Sequence, residues 1–158
     1  KGHRVLMRGK DPVGGQWNFD ADNRKPPKAE LVVPKPYAAP IDAITREVLA
    51  LVANRFSDHF GDLEPFGWPV TRAEALEAAE AFFARRLTLF GPYQDAMVHG
   101  SDDLYHSMLS TSLNCGLLDP LALCRAAEAA FAQRLHQRDL VDERVWTAAI
   151  ASVFFPAR

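Results

Sequence analysis

The stretch "VTRAEALEAAEAFFARRLTLFGPY", Val70 to Tyr93, decides the fold class. Thr71 and Glu74 make a T-x-x-E capping box, in which each side chain can satisfy a backbone donor of the first helical turn. Leu76, Ala79, Phe83, Leu87 and Phe90 then recur at helical spacing, which predicts one apolar stripe ended by Gly91-Pro92. No period-two alternation competes with that pattern. The segment is a helix.

Helical patterns continue on both sides. Ile41, Ile44, Val48, Leu51 and Phe56 fall on one face, with Pro40 near the start of their helix. A shorter helix is expected over Leu104 to Asn114, capped by Asp102 or Asp103 and followed by Gly116. Asp119-Pro120 pairs a cap with proline at the first helical position and opens a helix through Cys124 and Phe131 to about His136. A last apolar segment spans about Val141 to Phe155. Strand signals are limited to "ELVV", and no internal repeat is evident. Residues 1 to 39 differ: rich in Gly, Pro, Asp and Asn, and broken by Pro12, Pro26, Pro27, Pro34 and Pro36, they read as a connecting segment. It is ordered by packing at "GGQWNF" and extended around "PPKAELVVPKP". The expected architecture is mainly α: an irregular Pro/Gly-rich lead-in, 1–39, then about five helices in a domain over 40–158.

Length and composition fit one soluble domain. The chain has 158 residues, 48% apolar and 24% charged, enough to bury a core without disulfides or metals. A net charge of −2 argues neither for nor against nucleic acid, because a basic face can hide in a neutral total. No apolar run approaches the ~20 residues of a membrane span, and the start lacks a signal-peptide core. The first residue is Lys, so the chain is expected to start partway through something longer. Cys115 and Cys124, the two cysteines, match no zinc spacing and read as reduced, buried packing residues suited to a cytoplasmic setting.

The candidate site lies in "FGPYQDAMVHGSDDLYHSMLSTSLNCGLLDP", Phe90 to Pro120. A helix over 104–114 places His106, Ser107 and Ser110 in its first two turns, where free N–H groups attract anions and hydroxyls and imidazole add donors. Tyr93 and Tyr105 add phenols. Against this stands the plainer reading, in which the serines only satisfy local backbone groups. The lead-in also carries Lys1, Arg4, Arg8, Lys10, Arg24, Lys25 and Lys28 against Asp11, Asp20 and Asp22, a candidate phosphate-backbone contact or a solvated segment. Trp17 and Phe19 can stack on bases or anchor the loop to the core. The sequence has no G-x-S-x-G elbow, Walker loop, G-x-G-x-x-G or H-E-x-x-H, and no two carboxylates stand out as an acid/base couple. Spacing and composition reach a helical domain with a candidate phosphate site and stop there.

Four stretches carry a resemblance. "PVGGQWNFDADNRK", "FGDLEPFGWPVTRAEAL", "FGPYQDAM" and "LYHSMLSTSLNCGLLDP", in this order, resemble the prokaryotic photolyase-related family, the cryptochrome-like proteins and iron–sulfur (6-4) photolyases. The resemblance runs to about residue 132 and leaves 133–158 as a divergent tail. It implies an interdomain linker followed by the first part of an FAD-binding helical domain. It also implies a light-driven repair or blue-light-sensing parent that acts on DNA containing pyrimidine photoproducts. In that family a Tyr followed by a Thr-Ser-x-Leu-Ser-like turn holds the FAD phosphates. The matching positions are Tyr93, His106, Ser107, Met108, Leu109 and Ser110, with His106 where Thr is usual and Met97 and Met108 where Arg is often found. After the resemblance ends the chain reads "HQRDLVDERVWTAAIASVFFPAR", without the family's electron-transfer aromatics, active-site His or cluster cysteines. The iron–sulfur cluster is therefore not assigned to Cys115 and Cys124, and no catalytic or metal residue is assigned. Three expectations follow: a fragment of a photolyase-related flavoenzyme, inactive alone with weak or no FAD binding; a standalone phosphate- or nucleotide-binding module; or a helical protein that self-associates through an exposed face.

Overall fold

The computed structural model describes residues 7–13, 15, 25–26 and 31–136, with backbone alone for 134–136. The Trp17/Phe19 pair, Lys1, Arg4, Arg24, Lys28, most of the "GGQWNF" segment and the apolar segment from Val141 lie outside them. Within them the chain is helical: α1 Ala43–Arg55, α2 Arg72–Arg85, α3 Leu87–Tyr93, α4 Ser110–Asn114 and α5 Pro120–His136. The one addition is a small antiparallel hairpin, β1 Met7–Arg8 with β2 Asp11–Pro12, paired Met7 to Pro12 and Arg8 to Asp11. Residues 31–33 of "ELVV" form no strand.

Caps set the helix starts. Thr71 and Glu74 close the expected box: Thr71 Oγ1 accepts from the Glu74 N–H at 3.3 Å, and Glu74 Oε2 accepts from the Thr71 N–H at 3.0 Å. Asp119 caps α5, its Oδ1 accepting from the Ala122 N–H at 2.6 Å, with Pro120 as first helical residue. Two residues after Pro40, Asp42 caps α1, its Oδ1 accepting from the Thr45 N–H at 2.7 Å. Gly116, at φ 73°, follows α4 in the left-handed conformation that glycine adopts without strain.

Three expectations need correction. The stripe of α2 is Ala75, Ala78, Ala79 and Phe82, shifted one position back from Leu76 and Phe83. Alanines let α3 and α5 approach closely, and Leu76 is left 44% exposed. Gly91-Pro92 does not end that helix: the break comes at Arg86, and Pro92 lies inside the short α3. The expected helix over 104–114 is reduced to α4, because Leu104 at φ 39° and Met108 at φ 57° take the left-handed region, which no α-helix tolerates.

The core gathers Phe82, Leu87, Phe90, Tyr105, Leu109, Leu118, Leu123 and Phe131 from α2, α3, the loops before and after α4, and α5. The lead-in straps across it. Val13, Leu31, Val33 and Tyr37 pack on the core, and the Lys25 N–H donates to the Pro92 carbonyl at 2.9 Å. The Ala39 N–H donates to the Gly67 carbonyl at 2.9 Å, an approach so close that a Cβ on Gly67 would sit 3.1 Å from the Ala38 Cβ. α1 is the exception. Its apolar face forms as expected but stays uncovered, with Ile44 71%, Val48 50% and Leu51 49% exposed.

Candidate functional site

The site is organised by the junction of α2 and α3. Arg86 interrupts the helix there with its side chain 2% exposed. Its Nη2 donates to the main-chain carbonyls of Leu104 and, at 3.3 Å, Asp103, and lies 3.5 Å from the Asp103 carboxylate. Burial pushes the guanidinium's pKa down while Asp103 holds it up. One cation thus collects two carbonyls of the loop 101–109, whose left-handed residues Leu104 and Met108 each carry a backbone cost of about 1–3 kcal/mol. Nothing in spacing or motif singled out Arg86; the signal available was an Arg-Arg pair inside an apolar helical run.

Tyr93 and Tyr105 hold the same loop from the other side. Their rings stack with centroids 5.7 Å apart and planes 26° apart. Both are buried, and the Tyr105 hydroxyl donates to the Val32 carbonyl at 2.9 Å. Burial first, and the neighbouring Tyr93 second, raise the pKa of Tyr105. Next in sequence His106 is exposed, its ring edge-on to Phe90 at 5.3 Å and its main-chain N–H donating to the Asp103 carbonyl at 2.7 Å.

The expected binding residues divide into three places. His106 and Ser110 are exposed, so their donors face outward. Ser107 and Met108 form part of the wall of a pocket shared with Arg86, and Ser107 Oγ accepts from the Leu109 N–H at 3.4 Å. Leu109 sits in the core, leaving only its main chain to meet a ligand, and Tyr93 is buried against Tyr105. Tyr93 does not line the pocket that Ser107 and Met108 share. The argument from a helix N-terminus weakens accordingly, since α4 is only five residues long and starts after Ser107.

Of the lead-in cations, Arg8, Lys10 and Lys25 are described, and all three are exposed. Among the described residues no three His, Cys, Asp or Glu side chains cluster so as to hold a metal ion. Cys124 is buried, and burial pushes its thiol pKa up, whereas Cys115 is exposed just after α4, against the expectation that both pack inside. No described helix is long and apolar enough to cross a membrane.

Residues 1–68 match the family described as "Deoxyribodipyrimidine photo-lyase-related protein". The chain is also 52% identical over 128 residues, 80% of its length, to a "(6-4) photolyase" of Agrobacterium fabrum (strain C58). Across 80% of its length this sequence is similar to a photolyase. The chain spans about a quarter of that relative's length, 25%. The FAD that the resemblance implies needs hydrogen-bond donors for its phosphates. His106 and Ser110 are exposed polar side chains, and Ser107 keeps its hydroxyl proton after accepting from Leu109. These are donors suited to phosphate oxygens.

Proposed function

We propose that this chain is part of a photolyase- or cryptochrome-related flavoprotein, comprising an interdomain linker over 1–39 and the first helices of an FAD domain over 40–158. The identity of 52% with a (6-4) photolyase carries the reading. Within it, His106, Ser107 and Ser110 donate to the FAD phosphates, the main chain of Met108 and Leu109 completes the turn, and Tyr93 positions that turn through Tyr105. When bound, FAD supplies the light-absorbing, electron-donating chemistry. The protein's share is to bind and orient the dinucleotide.

The parent is a cytoplasmic protein that repairs DNA containing pyrimidine photoproducts or senses blue light. This chain is inactive alone, because a dinucleotide held only by its phosphates loses most of its binding free energy to ordering. The test is a visible spectrum of the purified chain after mixing with excess FAD and desalting, alongside equilibrium titration. Weak binding that disappears in a Ser107→Ala/Ser110→Ala double variant supports the reading, and equal binding by both proteins contradicts it.

A second reading has its own observation. The uncovered Ile44, Val48 and Leu51 face of α1 favours self-association through that helix.

A further inference from the structure

Beside Arg86 the structure holds a cavity of about 170 Å3, most of whose wall the flavin reading does not use. Its wall includes Tyr37, Trp68, Phe82, Arg86, Ser107 and Met108. Two features point to a ligand. Arg86 Nε and Nη1 are buried and have no hydrogen-bond partner, although its Nη2 is fully engaged with Leu104 and Asp103. Buried guanidinium donors left unmet are costly, and an oxyanion is their best acceptor. Apart from Ser107 the rest of the wall is mostly apolar, with Tyr37, Trp68 and Phe82 joined by prolines, which suits an aromatic ring.

We propose that this pocket binds a small aromatic oxyanion, its charged group against Arg86 and the Ser107 hydroxyl and its ring among Tyr37, Trp68 and Phe82. A carboxylate and a phosphate ester share this chemistry. The volume admits one ring and its anionic group, far less than a dinucleotide. The site goes beyond the flavin reading: it shares Ser107 and Met108 with it, but neither Tyr93 nor His106 lines it. Asp103 bounds the ligand's charge, because it already neutralises part of the guanidinium from the loop side.

The experiment is titration of the full chain with benzoate, phenyl phosphate and inorganic phosphate, followed by NMR shifts of the Trp68 indole and Arg86 Nε–H resonances. Saturable shifts with either aromatic probe are expected, half-complete near about 1 mM, weakened at least about tenfold in Arg86→Gln. The tighter of the two aromatic probes identifies the anion as carboxylate or phosphate. Trp68→Ala, at a partly exposed wall residue, weakens both even if Arg86→Gln does not fold. Ala78→Met, which fills the pocket from α2, removes benzoate binding and leaves FAD binding as it was, so the two sites are scored separately. No saturable shift with either aromatic probe overturns the proposal. So do shifts unchanged in Trp68→Ala, or inorganic phosphate binding as tightly as phenyl phosphate.

Discussion

Tyr93 and Tyr105 stack 5.7 Å apart, and through Tyr105 the stack reaches the lead-in at the Val32 carbonyl. The tyrosine that sequence resemblance assigns to a phosphate is therefore also a structural post. It ties α3 to the loop that carries His106 and Ser107. Tyr105→Phe keeps the ring and removes the bond to Val32, so it is expected to cost about 1 kcal/mol in urea unfolding. Tyr105→Ala removes the stack as well and should cost about 3–5 kcal/mol.

Arg86 is the other post. Arg86→Met leaves the Leu104 carbonyl without its donor and the half-buried Asp103 carboxylate without its cation, an expected loss of about 2–4 kcal/mol. Amide exchange in residues 103–108 should accelerate in that variant more than exchange in α5. Equal acceleration in both would mean that Arg86 supports the whole fold and not the loop.

The caps set an acid limb to stability. Backbone N–H groups at Thr45 and at Val70 hold the carboxyls of Asp42 and Glu74 below their ordinary values of 3.8 and 4.5. A lowered folded-state pKa means that the unfolded chain binds protons first. The contribution is therefore complete above pH 4.5 and is lost as pH falls through the lowered values. Thermal melts of the chain should decline below that point, and Asp42→Asn/Glu74→Gln should flatten the decline. Thr71→Ala tests the same box at neutral pH and is expected to cost about 1 kcal/mol.

Tyr37 sets a limb at the alkaline end. Its hydroxyl donates to Glu77 Oε2 at 2.8 Å, and that bond, more than burial, pushes its pKa up to about 12. The folded value lies above the unfolded 10.0, so the contribution is full below pH 10 and fades as pH rises toward 12. Absorbance titration at the phenolate band should show late-titrating tyrosine signal, and the part due to Tyr37 should move earlier in Glu77→Gln while that of Tyr105, raised by burial, stays.

Val48→Asp separates the roles of α1. Val48 is half exposed, so folding stability should change by no more than about 0.5 kcal/mol. Any oligomer seen by sedimentation that uses this face should dissociate in the variant. An oligomer that survives uses another surface.

Local chemistry made much of this fold legible. The Thr71–Glu74 box and the Asp119-Pro120 start are written in side chains whose partners lie within four residues, and the Gly116 stop in a backbone conformation that glycine takes without strain. What failed depended on distant contacts. Leu76 looked like core and Ala75 did not, because only the approach of α3 and α5 makes alanine the better fit there. Spacing predicts helix over 104–109, but there Arg86 fixes carbonyls 17 and 18 residues away and the loop turns left-handed. The site was legible as a cluster of donors and not as a shape. Arg86, which organises it, carries no motif.

The most direct test of the central claim compares FAD, ADP and riboflavin by equilibrium titration of the chain. If His106, Ser107 and Ser110 hold phosphates, FAD and ADP bind with similar dissociation constants near about 1 mM while riboflavin does not bind. Riboflavin binding as well as FAD, or ADP failing where FAD succeeds, would contradict the assignment of this segment to the phosphates.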